Sequence, residues 1–134
     1  MPTKVTVPRV EPFARSVMRI VIGFTYSCHG VQKLFGALGG MNGHGATAHL
    51  LTVLWIAGVI ETFGGALLVL GLFTSPVAFV VCGEMAVAYF TQHAPRGHFP
   101  IRNGGELAVV YCFVFLYLIF AGGGPISLDR ALRR

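Results

Sequence analysis

Charge is scarce in this sequence. Only 11% of its 134 residues are Asp, Glu, Lys or Arg, and 54% are hydrophobic; soluble domains carry about 25% charged residues. With a mean hydropathy of +0.72, the chain lacks the material for a water-facing surface, so a bilayer is its expected solvent. Acidic residues are rarer still, five against ten basic, which leaves a formal charge of +5. The basic residues stand at the ends of apolar runs, as flanks of membrane helices do. They form no stripe interleaved with aromatics, which excludes nucleic acid as a partner. Cysteine is confined to Cys28, Cys82 and Cys112, all inside apolar runs and none in a CxxC pair. An odd count without paired spacing leaves a disulfide framework unsupported and reads as small buried side chains. The five histidines show neither HExxH nor CxxCH spacing, so no metal site is expected; an axial haem pair such as His29 with His93 is the alternative. The glycines of "GGMNGHG" do not open a helix after a strand, so no nucleotide site is expected.

What is present is apolar length. A bilayer core about 30 Å thick needs about 20 helical residues, and four runs approach this: residues 13–38, 51–73, 76–92 and 105–122. None alternates as barrel strands do. The expected fold is all-α, an integral membrane four-helix bundle forming one domain over residues 1–134. "GGMNGHGATAH" is a Gly-rich loop, "TSP" a tight turn with Pro76 suited to a first helical turn, and "HAPRGHFPIRNG" the one sizeable polar loop. "GGGP" stops the fourth run, and "ISLDRALRR" reads as a short basic amphipathic tail. The start, "MPTKVTVPRVEPFAR", lacks the pattern of a cleavable signal. With both termini cytoplasmic, Lys4, Arg9, Arg15, Arg19, Arg130, Arg133 and Arg134 fall inside, and Lys33, Arg96 and Arg102 outside; the excess of inner positive charge favours this orientation.

Ionisable groups at membrane depth cost about 2.5–3.5 kcal/mol each on insertion scales, so they face the bundle interior and pair. At 100° per residue, Arg19, Tyr26, His29 and Lys33 all fall within about 40° of Arg15. A rise of about 1.5 Å per residue then groups the charges by depth. An inner cluster joins Arg19 with Glu61, Glu84 or both. An outer cluster joins Lys33 with Glu106, with His29 and His93 beside them and Tyr26, Phe113 and Tyr117 as an apolar wall. The stripe of Glu106, Phe113, Tyr117 and Phe120 reads as core packing before it reads as a ligand slot. Gly23, Ser27 and Gly30 suit close helix packing. The inner cluster is either structural, fixing which helix packs on which, or part of a quinone, proton or small-molecule site. For the outer cluster, a solvated ion pair and a quinone headgroup site are both open.

The segments "RIVIGFTYSCHGVQKLFG", "IAGVIETFGGALLVLGLFTSPVA", "EMAVAYFTQHAP" and "GGELAVVYCFVFLYLIFAGGGPISLDR" occur in that order. In this they resemble the DoxX family of small four-helix bacterial membrane proteins. The resemblance covers nearly the whole chain after about residue 13. It implies a multi-pass protein of the bacterial inner membrane. Family relatives include a subunit of a thiosulfate:quinone oxidoreductase and proteins linked to redox or quinone stress. The expectation is a small subunit of quinone-linked electron transfer, with a quinone as the candidate cofactor and other membrane subunits as partners. The alternative is a non-catalytic accessory subunit packing on a larger membrane complex; a proton or solute path along the Glu61–Glu84 face is a third. The resemblance assigns no catalytic residue, leaving enzymatic activity open, and no cysteine stands where a sulfur-transfer nucleophile would.

Overall fold

The computed structural model describes residues 10–133; Lys4, Arg9 and Arg134 of the orientation argument, and the first nine residues of the expected uncleaved start, lie outside that range. Among the described residues the chain is helical, with one isolated backbone bridge, Gly40 to Ala46, in place of any strand. The long helices are α1 (Glu11–Phe35), α2 (Val53–Leu70), α3 (Thr74–Ala88) and α5 (Glu106–Ala121); α4 (Pro100–Asn103) and α6 (Leu128–Leu132) are short. Helix α2 and the continuous segment Thr74–Arg96 are long and apolar enough to cross a membrane. At 25 residues α1 has the length, but its polar stripe keeps it out of that set, and α5 has 16 residues.

Local chemistry sets the ends. Pro12 enters α1 in its first turn, where its missing N–H costs nothing. The helix stops at Gly36, φ 67°, whose N–H returns to Gln32 O. Thr52 caps α2 by accepting from Trp55 N at 3.3 Å. After α3 the chain widens through a π turn, Tyr89–His93, and then tightens through a 3-10 turn, Ala94–Arg96. Pro95 has no N–H to continue the ladder, and Ala94 N reaches back to Tyr89 O instead.

Helices α1 and α2 run antiparallel, joined by small residues. A methyl group on Gly30 would lie 2.4 Å from Thr62 N, and one on Gly65 would lie 2.6 Å from Ser27 Cβ. Only glycine lets the two backbones come this close. Helix α3 packs on both α2 and α5. The core holds Tyr26, Leu68, Ala78, Val81, Phe115 and Leu118, all fully buried. The Tyr26 ring stands edge-on to Tyr111 and Phe115, with centroids 5.4 and 4.9 Å away. Phe113, Tyr117 and Phe120 are exposed. The expected aromatic stripe therefore points away from the core, and Phe113 and Tyr117 do not wall an internal site. In a helix apolar on every side, periodicity does not mark the inner face.

The start of α1, the α2–α3 turn and the segment after α5 meet at one end. Arg19, fully buried, sits there. Its guanidinium donates to Leu68 O, to Val69 O at 2.9 Å, to Gly123 O at 2.9 Å and to Ile126 O. This corrects the expected pairing with Glu61 or Glu84: the partners of Arg19 are backbone carbonyls at the end of α2 and in the segment after α5. The carbonyls at the C-terminus of α2 carry the negative end of its dipole, so backbone offsets part of the Arg19 charge. Gly71 makes room, since its φ is 68° and a methyl group there would lie 2.9 Å from the guanidinium carbon. The tail is also more than an amphipathic surface strip. It folds back so that Asp129 accepts from Phe73 N at 2.7 Å and Thr74 N at 2.9 Å, capping α3 from across the chain. Burial alone would raise the Asp129 carboxyl, but the Thr74 and Phe73 hydrogen bonds and the Arg133 charge outweigh it and hold it below its ordinary value.

Candidate functional site: a charged cavity among the helices

The opposite end holds a cavity of about 590 Å³, within the range of small-molecule sites, about 300–1,000 Å³. Its walls are mostly apolar, with Ile56, Ile60, Val80 and Val87 prominent, and its polar lining includes His29, Lys33, Glu61, Glu84, Gln92 and His93. Lys33 reaches Glu61 with Nζ 2.6 Å from Oε2, and the Glu61 side chain is 4% exposed. The pairing follows from the small-residue seam. The Lys33 stem passes directly over Gly58, where a methyl group would meet its Cβ at 3.0 Å. Glu61 is three residues further along α2, on the same face.

Glu84 accepts from the Tyr26 hydroxyl at 2.8 Å and is near enough to Glu61 for the two carboxyls to act on each other. Among the described residues the ion pairs are Lys33–Glu61 and Arg15–Glu11, so two carboxyls share one cation in this cavity. His29 stands edge-on to Tyr111, centroids 6.1 Å apart, and Tyr111 donates to Thr25 Oγ1 at 2.9 Å. His93, on the π turn, has Nδ1 3.2 Å from Asn103 O. Asn103, 2% exposed, anchors that rim by donating to Tyr89 Oη and Gly97 O and accepting from Gly105 N.

The structure thus brings His29, Lys33 and His93 to one cavity and adds Glu61 and Glu84, which the sequence argument grouped with Arg19. Glu106 is exposed in the first turn of α5 and does not line the cavity, so the expected Lys33–Glu106 pair is corrected to Lys33–Glu61. Matching depths along separate helices did not reveal which helices touch, and α1 packs chiefly on α2. Sequence reasoning missed Tyr111 and Asn103 as site-forming residues. The polar loop around "RNGG" was the one available pointer to Asn103; Tyr111, inside a uniformly apolar run, had none.

A cavity with an apolar wall and a buried ion pair, beside two helical segments long and apolar enough to cross a membrane, has the character of a membrane protein. The chain belongs to the DoxX family, a membrane family, whose model matches residues 14–94. An uncharacterized protein of Haemophilus influenzae (strain ATCC 51907 / DSM 11121 / KW20 / Rd) is 42% identical over 126 residues, covering 91% of this chain and 92% of that protein. A second uncharacterized protein of the same organism is 32% identical over 68 residues, 51% of this chain and 45% of that one. No solved structure matches.

Proposed function

We propose that this chain is a small multi-pass protein of the bacterial inner membrane. In this reading it is a single-domain bundle of four spans with cytoplasmic termini, whose cavity receives a lipid-soluble quinone in electron transfer or redox defence beside other membrane subunits. The observation that carries the reading is the cavity itself: apolar walls suited to a ring and tail, ending in Lys33, Glu61, Glu84 and His29. Quinone carbonyls require hydrogen-bond donors, which Lys33 and His29 supply. A bound quinone would supply two-electron, two-proton acceptor chemistry. The chain's part is to exclude water with Ile56, Ile60, Val80 and Val87, to orient the headgroup with Lys33 and His29, and to exchange a proton at the Glu84 carboxyl, which Tyr26 holds in place. Arg15, Arg19, Arg130 and Arg133 at one end support a cytoplasmic assignment for it.

The test is binding of a quinone analogue to purified protein. Lys33→Met and His29→Ala should each weaken binding, measured at a temperature where melting curves show each variant still folded. If the parent protein binds no analogue, or both variants bind like the parent, the cavity is structural and the accessory-subunit reading replaces this one.

A further inference from the structure

The quinone reading lacks an electron donor, and the helices carry a candidate for one. Cys82 on α3 and Cys112 on α5 face each other with Sγ atoms 3.7 Å apart. Each thiol also approaches the other residue's carbonyl: Cys82 Sγ is 3.4 Å from Cys112 O, and Cys112 Sγ is 3.6 Å from Cys82 O. This reciprocal arrangement fixes the two side chains head to head across an antiparallel seam. Both are free thiols and both are partly exposed. A disulfide needs the sulfurs at about 2.05 Å, so bonding requires an approach of under about 2 Å, within the range of side-chain rotation.

Position narrows the oxidant. Both thiols lie within helices of the apolar body, away from the polar loops, so a reagent reaching them must dissolve in lipid. The cavity is one helical turn away: Met85, three residues after Cys82, and Ala108, four before Cys112, both line it.

We propose that Cys82 and Cys112 are a reversible two-electron couple, oxidised to an intramembrane disulfide by a lipid-soluble quinone; the choice of quinone rests on the reading of the cavity given above. Two S–H bonds break and one S–S bond forms. The two electrons and two protons pass to the quinone's carbonyl oxygens and give the hydroquinone. The disulfide fastens α3 to α5 along one wall of the cavity, and a dithiol-reducing partner restores the thiols.

The experiment uses the full chain, reduced and placed in lipid nanodiscs without oxygen. Decylubiquinone is added, free thiols are then alkylated under denaturing conditions, and peptides are mapped by mass spectrometry. The expected product is a Cys82–Cys112 disulfide with Cys28 alkylated, and one hydroquinone formed per disulfide. Cys28→Ser should behave like the parent. Cys82→Ser and Cys112→Ala should each abolish hydroquinone formation, with melting curves to confirm folding. Alkylation of both Cys82 and Cys112 in the quinone-treated parent overturns the proposal. Binding of a redox-inert quinone analogue, measured in parallel, separates the two readings. Binding without a disulfide sinks the couple alone. A disulfide without binding sinks the cavity reading alone.

Discussion

Two double-mutant cycles test which charges meet. The first joins Lys33→Met with Glu61→Gln. The pair is 2.6 Å long with side chains 19% and 4% exposed, so Lys33→Met leaves a carboxylate almost fully buried without its cation, and a cost of about 3–5 kcal/mol is expected. Glu61→Gln removes the opposite charge, so the double variant should recover part of that loss, a coupling of about 1–3 kcal/mol. The second cycle joins Arg19→Met with Glu61→Gln. Arg19 is held at Leu68 and Val69, seven and eight residues beyond Glu61, about 10 Å along α2. With no shared partner, these changes should add within about 0.5 kcal/mol. The assay is equilibrium unfolding in mixed micelles at fixed pH. Coupling below about 0.5 kcal/mol in the first cycle would refute the Lys33–Glu61 pair, and coupling above about 1 kcal/mol in the second would restore an Arg19–Glu61 cluster.

Arg19→Lys should remain clearly destabilised, by about 2 kcal/mol or more, because a single ammonium cannot reach the carbonyls of both Leu68 and Ile126; stability equal to the parent in the same unfolding assay would contradict that role. Asp129→Asn keeps one acceptor but loses the second and the charge, and should cost about 0.5–1.5 kcal/mol. Because the folded Asp129 carboxyl sits below its ordinary value, its contribution is present above the unfolded value of about 3.9 and fades as pH falls through the folded value, so parent and variant should converge in acid when unfolding is followed against pH. Gly30→Leu should push α1 off α2 and cost about 3 kcal/mol or more; an unchanged melting temperature would mean the backbones are not in contact. A reporter fused after Arg133 should read as cytoplasmic, and one near Arg96 as external, for the proposed orientation to stand.

Much was determined by the sequence alone. Scarce charge and long apolar runs dictate helices in lipid, because a bilayer satisfies no backbone hydrogen bonds and only the chain itself can. The 3.6-residue repeat put Arg19, Tyr26, His29 and Lys33 on one face of α1, where all four meet other parts of the chain, while the helix ends at Gly36 and Gly71 fall inside the apolar runs and were seen only in the structure. Gly23, Ser27 and Gly30 were legible as a packing surface because only small residues admit a second backbone. Pairing was decided by tertiary structure. Lys33 met Glu61 and not Glu106 because the α1–α2 seam slides Lys33 over Gly58. Arg19 met carbonyls and not carboxylates because the end of α2 and the segment after α5 converge on it. The inner face of α5 and the meeting of Cys82 with Cys112 were hidden for one further reason. A helix apolar all round carries no periodic contrast, so which of its residues turn inward is settled only by the helices packed against it.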